Sequence, residues 1–375
     1  MVSVTNDAII ERIAGQLEVE KDRYYFTVHL SLGMLDFLER NPELGFRFVS
    51  CDSKMPPTVN ADGTPMTNCS GNEGSRNDML LQNSENNKGI LIEVKTSYPE
   101  NERKFSFALE EDIRQLKNLD RDVLGWKCAG GKIDQYCLVF MPYHQELPEK
   151  AVRSIERRLR QRSPSKGLRF RHPFAVWWWV KQANLKTTTQ ADIIQISPSS
   201  IGRRVGWKLG ELLDKHFIVI DLDSLFARYE YDKYRFGREP PSNCRWIPVI
   251  EAIYFFMSSK LRTSPEGEYL CSVNDLMNLA TEYFPPWIPD DTKGSQLRKR
   301  WVKSALDLLV NIDIAKLLPD RETYALDPLT ARNKDFSKYV CTKIAKFINK
   351  TEKAGAATPL NARVEAMNLD EFQEH

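Results

Sequence analysis

The chain has 375 residues, with 53 Lys or Arg against 51 Asp or Glu and a net charge of +2. That length accommodates two domains or one large one, and near-neutrality confines any nucleic-acid surface to a local patch. Dispersed histidines without HExxH and the lack of GxxxxGK[ST] argue against zinc hydrolases and P-loop NTPases.

The N-terminus "MVSVTNDAIIERIAGQ" lacks the basic-then-apolar pattern of a signal peptide, and no run of 18 apolar residues occurs. The seven cysteines include no CxxC pair, which suits reduced thiols. The expectation is a soluble cytoplasmic protein with no membrane partner.

In chain order, residues 5–40 predict a helix that Asn41 and Pro42 end. "FRFVSC" (46–51) predicts a strand, and the Pro-, Gly-, Asn- and Ser-rich stretch from Asp52 to Asn77 a mobile loop. Strands follow at 79–82 and 90–96 around the turn-like "NSENNKG". "FSFALEEDIRQLKNL" (105–119) predicts a helix with Phe107, Ile113 and Leu116 among its apolar positions. "CAGGK" (128–132) reads as a glycine turn before the strand "DQYCLVFM" (134–141).

Downstream, "EKAVRSIERRLRQRS" predicts an amphipathic basic helix with Val152, Ile155 and Leu159 facing inward. "FAVWWWV", "ADIIQI" and "FIVIDL" are strand-like and "RRVGWKLGELLDKH" helical; they extend the first sheet or form a small insert. "FGREPPSNC" (236–244) reads as a linker. Beyond it come a helix "IPVIEAIYFFMSS" with Pro248 at its start, a strand "EYLC", and a helix "SVNDLMNLATEYF" capped by Ser272. A third helix "SQLRKRWVKSALDLLV", opened by Ser295, and a hairpin "IAKLLPDRETYAL" turning at "PDRE" complete the order of a winged helix-turn-helix. The tail after Pro328 is polar, ends in an acidic stretch, and is expected to be partly disordered.

"GILIEVKTS" (89–97) raises the functional question, because Glu93 and Lys95 interrupt an apolar strand. Strand alternation puts Ile90, Ile92 and Val94 on one face and Leu91, Glu93 and Lys95 on the other. A two-residue loop at Asn86-Asn87 would place Asp78 opposite Lys95, near both charged residues; a turn shifted to Lys88-Gly89 would break that register. Two carboxylates and a lysine at a strand end suit a hard cation such as Mg²⁺, which takes oxygen ligands and keeps several waters. The alternative is a structural ion pair at Glu93 and Lys95. Other (D/E)xK triplets, at Asp52-Lys54, Glu102-Lys104 and Asp291-Lys293, lack the preceding apolar strand.

"ND" at 77–78 before an apolar strand, then "ILIEVK" at 90–95, resembles the PD-(D/E)xK nuclease superfamily, and the resemblance spans about residues 23–141. It implies an α/β (α+β) fold: a restriction-endonuclease-like mixed sheet flanked by helices (1–235, with an extension), before a winged-helix domain (245–328) and the tail (329–375). It further implies that Asp78, Glu93 and the backbone carbonyl of Val94 bind Mg²⁺ or Mn²⁺, that Lys95 positions the attacking water, and that Gln115 on the following helix joins the catalytic set. Asn77 stands where the motif has proline. Many members carry a first-helix glutamate; Glu20 is the candidate here, since His29 and Ser31 occupy the nearer positions.

Between Leu147 and Arg171 nine basic residues face two acidic ones, which fits a phosphate-binding surface including Arg157 and Arg158 or, equally, a solvated helix face. Trp177 to Trp179 fit core packing better than base stacking. In the third helix of the C-terminal domain, Leu297, Trp301 and Ala305 face inward, leaving Arg298, Lys299, Arg300 and Lys303 for DNA or for a protein partner. "DLD" (221–223) reads as a helix cap in preference to a metal site.

The expected function is a metal-dependent endonuclease acting on double-stranded DNA, in restriction, anti-phage defence or transposon end cleavage. The nuclease-plus-winged-helix order is similar to that of the cleavage subunit of heteromeric transposases. Partner subunits of a larger complex and a homodimer are left open. The alternative is a non-catalytic DNA-binding or assembly protein with a degenerate nuclease core.

Overall fold

A computed structural model of the chain describes residues 6–51, 77–83, 87–96, 98, 101–128, 135–143, 150–151, 153–155, 157–158, 170–183, 192–198, 218–229, 246–257, 260–283, 298–327 and 336–353. The chain forms two units, 26–231 and 1–25 together with 232–375. The first helix, α1 (Asn6–Arg40), therefore contributes residues to both.

In the 26–231 unit, β1 (Phe46–Cys51), β2 (Met79–Asn83) and β3 (Lys88–Lys95) form an antiparallel meander. α2 (Glu102–Cys128) then crosses over so that β4 (Gln135–Pro142) lies parallel to β3, a pairing that needs such a connection. β5 (Phe174–Ala183) is parallel to β4, while β6 (Asp192–Pro198) and β7 (Ile218–Asp221) continue antiparallel. The result is one mixed seven-stranded sheet in the order β1 to β7. Residues 174–183, 192–198 and 218–221 thus extend the first sheet and are not a separate insert.

Helices flank both faces. α2 is longer than the sequence predicts, beginning where Asn101 Oδ1 accepts the N–H groups of Arg103 and Lys104. Its stripe Phe105, Leu109, Ile113 and Leu116 packs on Phe140 of β4 and Val176 of β5, alongside Ala151 and Ile155 from the helical residues within 150–158. Phe107 does not join that stripe: at i+2 from Phe105 it turns outward and is 77% exposed. Val152 and Leu159 lie outside the described side chains. On the opposite face Phe26 of α1 meets the Trp179 ring of β5, and Gly33 sits against Ile220 of β7.

β3 is buried from Gly89 to Val94, as a strand covered on both faces must be. Trp177 and Trp179 are core residues, 2% and 1% exposed. Asp221 caps α3 (Leu222–Tyr229) by accepting the Ser224 N–H at 3.0 Å, which is the cap reading of "DLD".

In the other unit, α4 (Trp246–Met257), β8 (Arg262–Thr263), β9 (Tyr269–Ser272), α5 (Val273–Tyr283), α6 (Lys299–Asn311), β10 (Ala315–Leu317) and β11 (Thr323–Leu326) surround a core with the first half of α1. The small sheet runs β10-β11-β9-β8. Pro248 stands at the third residue of α4. Ser272 and Asp275 cap α5 reciprocally, each side chain meeting the other's backbone N–H. α6 begins at Lys299, with Arg298 extended before it; Ser295 and Leu297 fall outside the described residues.

Part of the tail is helical. Residues 336–353 form α7 (Phe336–Lys353), whose Phe336, Val340, Ile344 and Ile348 recur every four residues and are buried in this core. That stripe outweighs the polar composition of the segment. The predicted loop at 52–76, the helix at 203–216, the linker at 236–244 and the acidic end lie outside the described residues. No helix among the described residues is long and apolar enough to cross a membrane.

Candidate active site

The site forms where the β2–β3 hairpin ends beneath α2. Asn83 pairs with Lys88 and Met79 with Ile92, so the connection spans 84–87, with Asn87 at φ 50°. The two-residue loop at Asn86-Asn87 is therefore not formed, and Asp78 does not pair with Lys95. It is instead tied to both backbone neighbours of Glu93: the Asp78 N–H donates to Ile92 O at 3.1 Å, and the Val94 N–H donates to Asp78 Oδ2 at 2.6 Å. The register differs, yet Asp78 still lies beside Glu93.

Alternation along β3 turns Leu91, Glu93 and Lys95 toward α2, as Leu91 packing against Leu119 and Val123 shows. Lys95 Nζ donates to Glu93 Oε1 at 2.8 Å and to Gln115 Oε1 at 2.6 Å, and stands 3.2 Å from Asp112 Oδ1. The Tyr98 hydroxyl donates to the other oxygen of Asp112, Oδ2. The end of β3 is pinned because Lys95 O accepts the Tyr143 N–H at 2.9 Å and the Trp179 indole N–H at 3.2 Å.

The Lys95 side chain is 20% exposed, while those of Glu93 and Asp112 are 11% and 8% exposed. Burial pushes the Glu93 carboxyl up to about 7, with the Lys95 ammonium pulling against this and the Asp78 carboxylate adding to it. Burial opposes the charge on Lys95, but Glu93, Asp112 and Asp78 outweigh it and raise its pKa. Burial also raises Asp112, against the pull of Lys95 and Tyr98. Tyr98 is raised well above the usual phenol range by burial and by Asp112, so it stays a proton donor.

Asp78, just ahead of β2, is thus brought together with Glu93 and Lys95 of β3 and Gln115 of α2. Asp112 and Tyr98 join them without having been anticipated. The available signal was helical spacing: Asp112 precedes Gln115 by three residues and shares its face of α2. Glu20 belongs to the other unit. The His29 ring packs on Phe226 at 5.1 Å and Ser31 is buried, so both serve the α1 interior.

Among the described residues no cluster of three or more His, Cys, Asp or Glu side chains is arranged to hold a metal. The oxygens that a cation would draw on here are those of two carboxylates, Asp78 and Glu93, with the Val94 carbonyl. An all-oxygen set fits Mg²⁺ or Mn²⁺ and not a thiophilic ion.

The basic candidates differ in exposure and in their surroundings. Arg157 is exposed, while Arg158 is ion-paired with Glu110 of α2. Arg298, Lys299 and Arg300 are exposed at the start of α6, with the Arg298 guanidinium over the Trp301 ring at 4.8 Å. Lys303 pairs with Asp307 at 2.6 Å, one turn on. Trp301 and Ala305 face the core. Comparison of the chain with protein-family models, curated proteins and solved structures finds no match.

Proposed function

We propose that this chain is a divalent-metal-dependent DNA endonuclease, with a PD-(D/E)xK-type core in the 26–231 unit and a winged-helix module in the C-terminal residues of the other. The observation that carries the reading is the meeting of Lys95 with Glu93 and Gln115, at 2.8 and 2.6 Å, beside Asp78.

Asp78, Glu93 and the Val94 carbonyl would hold Mg²⁺ or Mn²⁺. When bound, the cation would make a coordinated water more acidic and stabilise charge on the phosphodiester. Lys95 orients the attacking water and adds positive charge to the reacting phosphate. Gln115 fixes the lysine. Arg157, Arg158 and the group Arg298, Lys299, Arg300 and Lys303 contact the phosphates of double-stranded DNA. Restriction, anti-phage defence and transposon end cleavage suit such an enzyme, alone or with partner subunits.

Incubating supercoiled plasmid with the purified protein, with Mg²⁺ or with EDTA, tests the proposal. Nicked or linear product that appears only with Mg²⁺ supports it. Intact plasmid that is nonetheless bound would favour the non-catalytic DNA-binding reading.

A further inference from the structure

An ammonium has three hydrogens to donate. Three oxygens lie within 3.2 Å of Lys95 Nζ: Gln115 Oε1, Glu93 Oε1 and Asp112 Oδ1. In this arrangement the lysine has no hydrogen left for a water. It also holds Oε1 of Glu93, one of the two oxygens through which that carboxylate would reach a divalent cation.

We infer that Asp112, held by the Tyr98 hydroxyl, is a positioning residue that keeps Lys95 in the site while Glu93 exchanges the ammonium for a divalent cation. The inference rests on the proposed active site and concerns how that site is loaded. When Glu93 turns to the cation, Lys95 loses one partner and keeps two, Asp112 on α2 and Gln115 one turn further along the same helix face. The released hydrogen is then the one directed toward the metal side, where the attacking water belongs. Without Asp112 the ammonium would lose one of the carboxylates that stabilise it and would give up Glu93 less readily. Tyr98 donates to Asp112 Oδ2, which leaves Oδ1 for Lys95 and fixes the carboxylate plane. The edge-on packing of Tyr98 on Phe105 at 5.4 Å anchors this phenol against the first turn of α2.

The sign of the effect follows from this. Asp112→Asn leaves Lys95 more tightly bound to Glu93, so divalent binding weakens. A carboxylate lost near a cation would weaken binding for a simpler reason, and Lys95 separates the two. If Asp112 acts through Lys95, removing the lysine removes the effect of Asp112.

Manganese titration of the full chain, followed by the electron paramagnetic resonance signal of free Mn²⁺ and without DNA, reads this directly. Asp112→Asn should raise the Mn²⁺ dissociation constant roughly tenfold, the usual scale for a residue supporting a metal ligand. Tyr98→Phe, which keeps the ring and removes only the hydroxyl, should shift it less and in the same direction, and carries the test should Asp112→Asn not fold. In a Lys95→Met background, adding Asp112→Asn or Tyr98→Phe should change the constant by less than about twofold. Wild-type affinity in both single variants would overturn the inference, as would an equal loss in the Lys95→Met background. If those outcomes occur while the wild type binds Mn²⁺ and cuts DNA, the inference falls alone. A wild-type chain that neither binds Mn²⁺ nor cuts removes the active-site reading and this inference with it.

Discussion

With its ammonium 2.8 Å from Glu93 Oε1, Lys95 offsets part of the cost of burying that carboxylate, and Asp112 and Gln115 share the ammonium. Two roles for the lysine make opposite forecasts. If it serves the attacking water, Lys95→Ala loses most of the cleavage rate but binds a divalent cation at least as well as the wild type, because an ammonium no longer competes for Glu93. Asp78→Ala should lose metal affinity along with rate. Calorimetric titration of Mn²⁺ into both variants, with uncleavable DNA present, distinguishes them; equal loss of binding in both would make Lys95 a structural brace. Strand alternation and an aspartate ahead of the hairpin were enough to single out Asp78, Glu93 and Lys95, and the resemblance added Gln115. Asp112 and Tyr98 were not legible, because an acid on an amphipathic helix reads as solvated until the crossover places that face over a strand end.

At the scale of elements, the structure departs from the sequence pattern in turns and faces more than in strands. β2 and β3 lie where the pattern puts them, but their register pairs Met79 with Ile92 and so takes Asp78 from Lys95 to the neighbours of Glu93. Phe107, an apolar position in the sequence pattern, is exposed because the face of α2 is set by Phe105, Leu109 and Ile113. α1 shows how closely elements approach. A Cβ at Gly33 would lie 2.4 Å from Ile220 Cδ1 and 2.7 Å from its Cγ2. Overpacking of this kind costs roughly 1–3 kcal/mol, against the ~1 kcal/mol that alanine gains over glycine inside a helix. Gly33→Ala should therefore lower the thermal midpoint, and Gly33→Ala/Ile220→Val should be less destabilised than the two singles added together. A Gly33→Ala protein melting above the wild type would contradict this packing. In the other unit, Ser272→Ala removes the reciprocal cap of α5 and should cost about 1 kcal/mol in chemical denaturation; an unchanged midpoint would show that Asp275 alone suffices.

Across the whole molecule, the seven-stranded sheet carries the candidate chemistry and the C-terminal residues of the second unit carry the proposed grip on DNA. The sequence pattern conveyed two domains, but not that the first half of α1 and α7 belong to the same unit as α6. That pairing joins distant segments through apolar stripes that look the same in either domain. If α6 lies on DNA, charge reversal at Lys299 and Arg300 should weaken binding and flatten its salt dependence. The slope of log K against log salt should fall by about 0.9 for each phosphate that is no longer neutralised. Unchanged affinity and slope would assign that face to a protein partner. The most direct test of the central claim is the single-turnover rate of plasmid cleavage in Mg²⁺ by wild type and Glu93→Ala, compared at equal fold and equal DNA occupancy. A metal-dependent endonuclease built on this site loses at least about 10²-fold in rate on that substitution, on the scale of removing one group that stabilises transition-state charge, while DNA affinity stays close to that of the wild type. Cleavage by Glu93→Ala at the wild-type rate would contradict the account.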